Sequence, residues 1–237
     1  MMIVQKKKQE DDTKHRTGHG TGFIVVNTAN KLVIMTCGHS FKNWLEKTKV
    51  VVTFHDRRQA DAELVWVETT KEVALLLIDT SSEPELSAYP AVDFSYNDAR
   101  VGDVVVTLGH PYSGLHQCDP WNNFGSVTKE ADLTANAWGD ILQMFSADFA
   151  SGPGASGSPV FGERGRVVGI CISGLQDTSF ALSVRWIRDT LKQDMGEVKA
   201  RNLENPTIRE MIELCYVEVP PPGHASAGSS GGNLDVC

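Results

Sequence analysis

The chain has little positive charge and no long hydrophobic run. Its 22 Lys and Arg residues are outnumbered by 30 Asp and Glu residues, and the net charge is -8. A protein that binds nucleic acid through a general basic surface has the opposite balance, so we expect no nucleic-acid partner. No apolar segment approaches the roughly 18 residues that span a bilayer, so we expect no membrane partner either.

Cysteines are few, and the amino-terminal residues do not show the pattern of a secretion signal. Residues 1–4 are shorter than the apolar core of a signal peptide, and a polar, charged stretch follows at once. The five cysteines are odd in number and irregular in spacing, which favours free thiols in a reducing compartment. We therefore expect a soluble intracellular protein of the cytoplasm or nucleus.

Short β-type segments separated by turns dominate the chain up to about residue 185. A continuous apolar run at 73–78 is typical of a buried strand, and the loop after it divides the strands into two groups of similar size. This pattern predicts a mainly β protein made of barrels or sandwiches, in two successive units. Helices are expected only afterwards, one near 184–195 and one beginning at Asn205-Pro206.

A serine between glycines, Ser156, stands out in the loop 152–160. Glycine-rich loops can turn their amide N–H groups toward one point, so the N–H groups of Gly154 and Ser156 could hold an oxyanion while the serine attacks a carbonyl. Serine needs a base, and His39 lies in a small-residue turn directly after a strand. The base needs an orienting acid, and Glu72 precedes the apolar run 73–78. In isolation each residue also has an ordinary structural interpretation.

Six sequence blocks in this order resemble the trypsin-like serine proteases, and in detail their HtrA/Deg branch. They are GTGFI at 20–24, VIMTCGH at 33–39, EVALLLID at 72–79, VGDVVVTLGHPY at 101–112, GASGSPV at 154–160 and SFAL at 179–182. The resemblance implies two antiparallel six-stranded β-barrels with a catalytic cleft between them and helices at the carboxyl end. It further implies that Ser156 is the nucleophile, His39 the general base, and Gly154 and Ser156 the oxyanion hole.

Composition and the resemblance together predict boundaries along the chain. We expect a disordered arm at 1–17 and a protease domain at 18–195, followed by a helical extension at 198–219 and a disordered tail at 220–237. Within the domain, barrel one covers about 18–90, barrel two about 91–185, and a closing helix about 185–197. The PDZ domain that usually follows in HtrA/Deg chains does not fit into residues 196–237.

The same resemblance predicts the substrate. A protein or peptide is the expected partner, and a homo-oligomer is compatible with the sequence but not indicated by it. By position relative to Ser156, Ala150 is expected at the base of the primary pocket, where an acid would select Lys or Arg. The expected pocket walls are Ile172, Ser173, Phe180 and Ala181. We therefore expect a small or medium apolar residue before the scissile bond.

Two alternative functions are considered. The family's acid is normally Asp, so Glu72 also fits an inactive pseudoprotease that acts as a protein-binding module. An α/β-hydrolase esterase is disfavoured because there the serine precedes the histidine in the chain. No cofactor and no metal are expected, since the stretch containing His110, His116, Cys118 and Asp119 lacks a familiar zinc spacing and is interpreted as a loop.

Overall fold

The structure, a computed structural model, consists of two β-barrels followed by short helices. It describes residues 2–8, 18–42, 48–110, 120–175, 177–200 and 205–217. The first barrel contains β1 (Met2–Lys8), β2 (Gly18–Asn27), β3 (Lys31–Thr36), β4 (Thr48–Phe54), β5 (Gln59–Glu68) and β6 (Val73–Asp79). The second contains β7 (Val104–Gly109), β8 (Trp121–Ala135), β9 (Ile141–Ala147), β10 (Pro159–Phe161), β11 (Val167–Leu175) and β12 (Thr178–Ser183).

Both barrels are closed and antiparallel. Barrel one has the strand order β1-β2-β3-β6-β5-β4 and closes where β1 pairs with β4. Barrel two has the order β10-β11-β12-β9-β8-β7 and closes where β10 pairs with β7. The predicted fold class, two six-stranded barrels with helices at the carboxyl end, is confirmed.

The amino-terminal segment corrects one expectation. Residues 2–8 were assigned to a disordered arm, but they form β1, which pairs with β2 on one side and β4 on the other. Without β1 both neighbouring strands would expose an unpaired edge, and closure removes those edges. Residues 9–17 of the expected arm, and the expected tail at 220–237, lie outside the described residues.

The apolar run of β6 is explained by its position between two cores. Ala74, Leu76 and Ile78 point into barrel one, whereas Val73 and Leu75 join a second cluster. That second cluster combines residues of both barrels with the carboxyl-terminal helices. A strand buried on both faces needs no polar alternation, which is why its sequence reads as continuously apolar.

The helices pack against this shared cluster. Helix α1 (Val184–Ala200) contributes the buried Ile187 and Leu191, and α2 (Ile208–Ile212) is followed by a π-helical turn at Glu213–Val217. The start of α2 was predicted at Asn205-Pro206 but the cap is Thr207. Its hydroxyl accepts the Glu210 N–H while the Glu210 carboxylate accepts the Thr207 N–H, a reciprocal capping box that Asn205 lies too early to form. Within the described residues, no helix combines the length and apolarity needed to cross a membrane.

We predict that the stability of barrel two depends on the buried aromatic ring of Phe145. Phe145 is fully buried, so Phe145→Ala should lower the free energy of unfolding by about 3–5 kcal/mol. Phe124→Ala is the matched control, since Phe124 is 65 % exposed and its loss should change stability by about 0.5 kcal/mol or less. Urea denaturation monitored by circular dichroism measures both. Equal losses in the two variants would contradict the assignment of Phe145 to the core.

Candidate active site

His39 lies on a short 3-10 turn, Gly38–Phe41, directly after β3. This turn packs closely on the loop between β5 and β6. A Cβ atom at Gly38 would lie 2.8 Å from the Glu68 carbonyl oxygen and 3.1 Å from Glu72 Cα. Residue 38 therefore has to be glycine for the β5–β6 loop to approach the imidazole.

Glu72 is the last residue of that loop, and its carboxylate faces His39. The Oε2 atom lies 2.8 Å from His39 Nδ1 and also accepts the His39 backbone N–H at 2.8 Å. Glu72 is buried and its backbone is left-handed, with φ of 64°. A non-glycine residue in that region costs about 1 kcal/mol or more, which the two hydrogen bonds offset. Because the carboxylate accepts from Nδ1–H, neutral His39 carries its lone pair on Nε2.

Ser156 lies in a loop of barrel two that barrel one holds in place. A turn precedes it, in which the Ala155 N–H donates to the Gly152 carbonyl and Gly154 has φ of 90°. The Thr21 backbone N–H donates to the Ser156 carbonyl oxygen at 2.8 Å, and the Thr21 hydroxyl donates to the Gly154 carbonyl oxygen at 2.8 Å. Two hydrogen bonds from one residue of β2 thus fix the serine loop relative to the barrel that carries His39.

The residue after Ser156, like residue 38, has to be a glycine. Gly157 has φ of 87°, and its N–H donates to the Cys171 carbonyl oxygen at 2.8 Å. A Cβ atom here would overlap the Thr21 carbonyl oxygen and the Thr36 hydroxyl. The glycine after the serine therefore allows the two barrels to touch at this point.

The structure joins Glu72 to His39 but does not join His39 to Ser156. The Ser156 hydroxyl donates to the Ile172 carbonyl oxygen at 3.2 Å, and within the described residues it makes no hydrogen bond to His39. The nitrogen that would accept its proton, His39 Nε2, lies 3.5 Å from Cys37 Sγ. The Cys37 sulfur also lies 3.1 Å from the Ser40 hydroxyl oxygen.

The Cys37–His39 contact changes the proton affinity of both groups. Burial lowers the pKa of His39, but the charge and hydrogen bonds of Cys37 and Glu72 together raise it to about 10. Burial raises the pKa of Cys37, but the charge and hydrogen bond of His39, with the Ser40 hydroxyl, bring it below its ordinary value. By contrast, burial raises the pKa of Cys171 to about 12. The contact between Cys37 and His39 therefore shifts their pKa values in opposite directions.

Three side chains here also place metal-type donor atoms close together. Among the described residues, Cys37, His39 and Glu72 are the group of His, Cys, Asp and Glu side chains whose ligand atoms all lie within 4.8 Å. Glu72 contacts Nδ1 of the imidazole and Cys37 approaches Nε2, so each is already engaged with His39. Most of the histidine- and cysteine-containing loop weighed in the sequence, residues 111–119, lies outside the described residues.

Two backbone N–H groups are available beside the serine. Within the described part of the chain, neither the Gly154 N–H nor the Ser156 N–H donates a hydrogen bond, whereas the N–H groups of Ala155, Gly157 and Ser158 all do. These are the two groups that the sequence predicted for an oxyanion hole. Such donors are most effective when no internal acceptor competes for them.

The residues predicted for the substrate pocket lie in different settings. Ile172 is buried and supplies the carbonyl oxygen that accepts from Ser156, while Ser173 is exposed and pairs with Phe180 across β11 and β12. Ala181 is buried opposite Cys171 on the same two strands. Ala150 is exposed, and its carbonyl oxygen accepts from the Asn123 side chain at 2.6 Å.

Sequence reasoning missed a group of small polar residues near those predicted for the pocket. The Ser179 hydroxyl is 2.9 Å from the Ser151 hydroxyl and 2.6 Å from the Phe149 carbonyl oxygen. A Cβ atom at Gly174 would overlap the Ser151 hydroxyl. Strand alternation offered a signal, since Ser179 and the predicted Ala181 share one face of β12.

The comparisons with known proteins agree with this geometry. The profile of the family described as "Trypsin-like peptidase domain" matches residues 20–170, which include His39, Glu72 and Ser156. The chain belongs to the trypsin-like peptidase family. The resemblance found in the six sequence blocks, including its HtrA/Deg character, is confirmed.

Individual relatives of this trypsin-like chain carry protease names. A "Probable periplasmic serine endoprotease DegP-like" of Rickettsia conorii is 31 % identical over 165 residues, covering 69 % of this chain and 30 % of the relative. A "Putative serine protease HhoA" of Synechocystis is 29 % identical over 154 residues, covering 65 % and 36 %. The chain thus spans about a third of the length of these curated relatives. Since the first is named periplasmic, the intracellular location expected from the sequence stays a prediction.

A solved structure supports the fold of the trypsin-like chain independently. The active form of the Rv3671c protease from M. tuberculosis matches with a TM-score of 0.62 and 20 % identity, covering 80 % of this chain and 78 % of that one. Its inactive form matches with a TM-score of 0.60 at the same identity. At this identity the likeness establishes the double-barrel fold.

We predict that Cys37 sets the pH at which His39 loses its proton. A raised pKa keeps His39 protonated at neutral pH and frees it as a base only at alkaline pH. Cys37→Ala removes the sulfur that raises the value, so the His39 titration should move to lower pH. NMR titration of the histidine ring protons, with His39→Ala for assignment, measures the shift. Cys215→Ala, in the carboxyl-terminal π-helical turn, is the control thiol and should leave the curve in place. An unchanged curve in Cys37→Ala would contradict the pairing.

Proposed function

We propose that the chain is a serine endopeptidase that hydrolyses peptide bonds with Ser156 as nucleophile, His39 as general base and Glu72 as orienting acid. The observation that carries the proposal is the buried Glu72 carboxylate bonded to His39 Nδ1 at 2.8 Å, next to a serine loop fixed by Thr21. The protease names of the sequence relatives support it. A protein or peptide is therefore the proposed substrate.

The proposed reaction begins with rotation of the Ser156 side chain from the Ile172 carbonyl toward His39 Nε2. The serine oxygen attacks the substrate carbonyl carbon as its proton passes to Nε2. The N–H groups of Gly154 and Ser156 hold the oxyanion that forms. When the C–N bond breaks, Nε2–H protonates the leaving amine. Water then repeats the sequence on the acyl enzyme, which releases the acid and restores Ser156.

Glu72 has two roles in the proposed reaction. Its carboxylate keeps the proton of neutral His39 on Nδ1, so that the lone pair is on Nε2, and it stabilises the imidazolium after proton transfer. The same oxygen also accepts the His39 backbone N–H, which fixes the turn as well as the ring. Glutamate therefore takes the place that aspartate usually has in the family.

We predict that activity depends on all three side chains. Labelling by a fluorophosphonate probe and peptide hydrolysis should both be abolished in Ser156→Ala and fall at least roughly 10³-fold in His39→Ala. Glu72→Gln should fall by roughly 10²- to 10⁴-fold, because the amide no longer holds the correct tautomer, whereas Glu72→Asp should be milder.

Folded protein is verified in each case by circular dichroism. If the folded wild type remains unlabelled from neutral pH up to about pH 10, where the pKa of His39 lies, the endopeptidase proposal is wrong. The pseudoprotease alternative then becomes the better account.

We further propose a small apolar preference for the residue before the scissile bond. The hydroxyls of Ser151 and Ser179 are already bonded to each other, and a satisfied hydroxyl surface accepts a small apolar side chain without leaving a polar group unpaired. Ala150, proposed for the pocket base, supplies no negative charge for Lys or Arg.

We predict that peptides with Ala or Val before the scissile bond are cleaved roughly tenfold faster, or more, than matched peptides with Lys or Arg. The measurement is kcat/KM across a peptide library that varies this residue alone. Ala150→Asp adds a carboxylate at the proposed pocket base and should raise the relative rate for Lys. If Ala150→Asp leaves the ratio of the Lys and Ala cleavage rates unchanged, Ala150 does not form the base of the pocket.

A further inference from the structure

A hairpin of barrel two reaches the histidine of barrel one. Strand β8 (Trp121–Ala135) and strand β9, which begins at Ile141, are joined by a tip that contains Trp138. The indole ring centroid of Trp138 lies 4.9 Å from the centroid of the His39 imidazole, with 35° between the planes. This distance is within the range of aromatic ring contacts.

The same indole contacts a second side chain of the histidine turn. Lys42 Nζ lies 5.2 Å from the Trp138 ring centroid, a cation–π distance. The Lys42 backbone N–H donates to the His39 carbonyl oxygen, so both side chains belong to one 3-10 turn. Trp138 therefore engages this turn at two points.

The hairpin tip is well organised by hydrogen bonds. The Asn136 side-chain oxygen accepts the N–H groups of Trp138 and Asp140, and the Asn136 N–H donates to the Asp140 carbonyl oxygen. Gly139 has φ of 88°, and its N–H donates to the Asn136 carbonyl oxygen. The tip conformation thus sets the position of the indole.

The exposure of Trp138 argues against a purely structural role. It is 48 % exposed, so it gains only part of the free energy that full burial of an indole provides. Its ring instead lies against the imidazole of His39 in a tilted arrangement. An aromatic face attracts a cation, and His39 becomes an imidazolium when it accepts the serine proton.

We propose that Trp138 is a positioning residue of the active site, which holds the imidazole of His39 and stabilises the imidazolium formed during the reaction. The kinetic part of this inference rests on the proposed endopeptidase function, whereas the ring contact does not. Three other groups act on the same imidazole or its cover. Glu72 in the β5–β6 loop favours the positive charge of the imidazolium, Cys37 contacts Nε2, and the Lys42 cation beside the indole opposes a second positive charge.

The kinetic test compares three substitutions in the hairpin. Trp138→Leu keeps an apolar cover but removes the ring, so kcat should fall by about 2- to 30-fold with little change in KM. Trp138→Phe restores an aromatic face and should recover most of kcat. Ile141→Ala is the matched control, since Ile141 is exposed on the same hairpin, and it should stay within about twofold.

A fluorescence titration tests the contact without any turnover. Imidazolium quenches indole emission on contact, so the emission of the wild type minus that of Trp138→Phe should rise as His39 loses its proton. The rise should disappear in His39→Ala and persist in Ser156→Ala.

The outcomes separate the two proposals. A folded wild type with the fluorescence response but no hydrolysis would overturn the endopeptidase function and the kinetic role together, and would leave the ring contact established. Three results would overturn the role of Trp138 only. They are hydrolysis with an unchanged kcat in Trp138→Leu, an effect of that substitution on KM alone, and a fluorescence response that survives in His39→Ala.

Discussion

The contact between the two barrels at the Ser156 loop depends on the hydrogen bonds of Thr21. Its N–H and its hydroxyl hold the carbonyl oxygens of Ser156 and Gly154, and its hydroxyl also accepts the His110 N–H from the end of β7. Its own carbonyl oxygen accepts the Thr36 hydroxyl at the end of β3. One fully buried residue thus links the loop that carries Ser156 to the strand that leads to His39. Any movement between the barrels would break several hydrogen bonds at once.

Two glycines allow close backbone approaches, one between the barrels and one within barrel one. Gly157 lets the serine loop approach Thr21 and Thr36, and Gly38 lets the histidine turn approach the loop that ends in Glu72. The first contact sets the distance between the barrels, and the second sets the distance between Glu72 and His39. Both glycines flank a proposed catalytic residue in sequence, because the close approaches occur where those residues must meet.

The sequence was sufficient for the fold and for the pairing of Glu72 with His39, whereas the triad with Ser156 stays a proposal and the surroundings of these residues were not predicted. Glycine-flanked turns after β-type segments identified His39 and Ser156, and the order of six blocks predicted the two barrels. Strand β1 was missed because its lysine-rich sequence resembles a solvated arm, and only closure of the barrel makes it a strand. The contacts of Cys37 and Trp138 with His39 depend on side-chain directions and on a hairpin from the other barrel, which no local pattern encodes.

Completion of the proposed triad does not require a large rearrangement of the loop that carries Ser156. The Ser156 hydroxyl is held by one neutral hydrogen bond of 3.2 Å to Ile172, and such a bond contributes about 1 kcal/mol. His39 Nε2 is held by a single 3.5 Å contact with Cys37, while its other nitrogen is fixed by Glu72. The loop backbone is already fixed by Thr21, so the proposed triad requires rotation of the Ser156 side chain and loss of the proton that the raised pKa of His39 retains at neutral pH. Catalytic hydrogen bonds often form only when substrate is bound, and a rotation of this cost is well within the free energy that a bound peptide supplies.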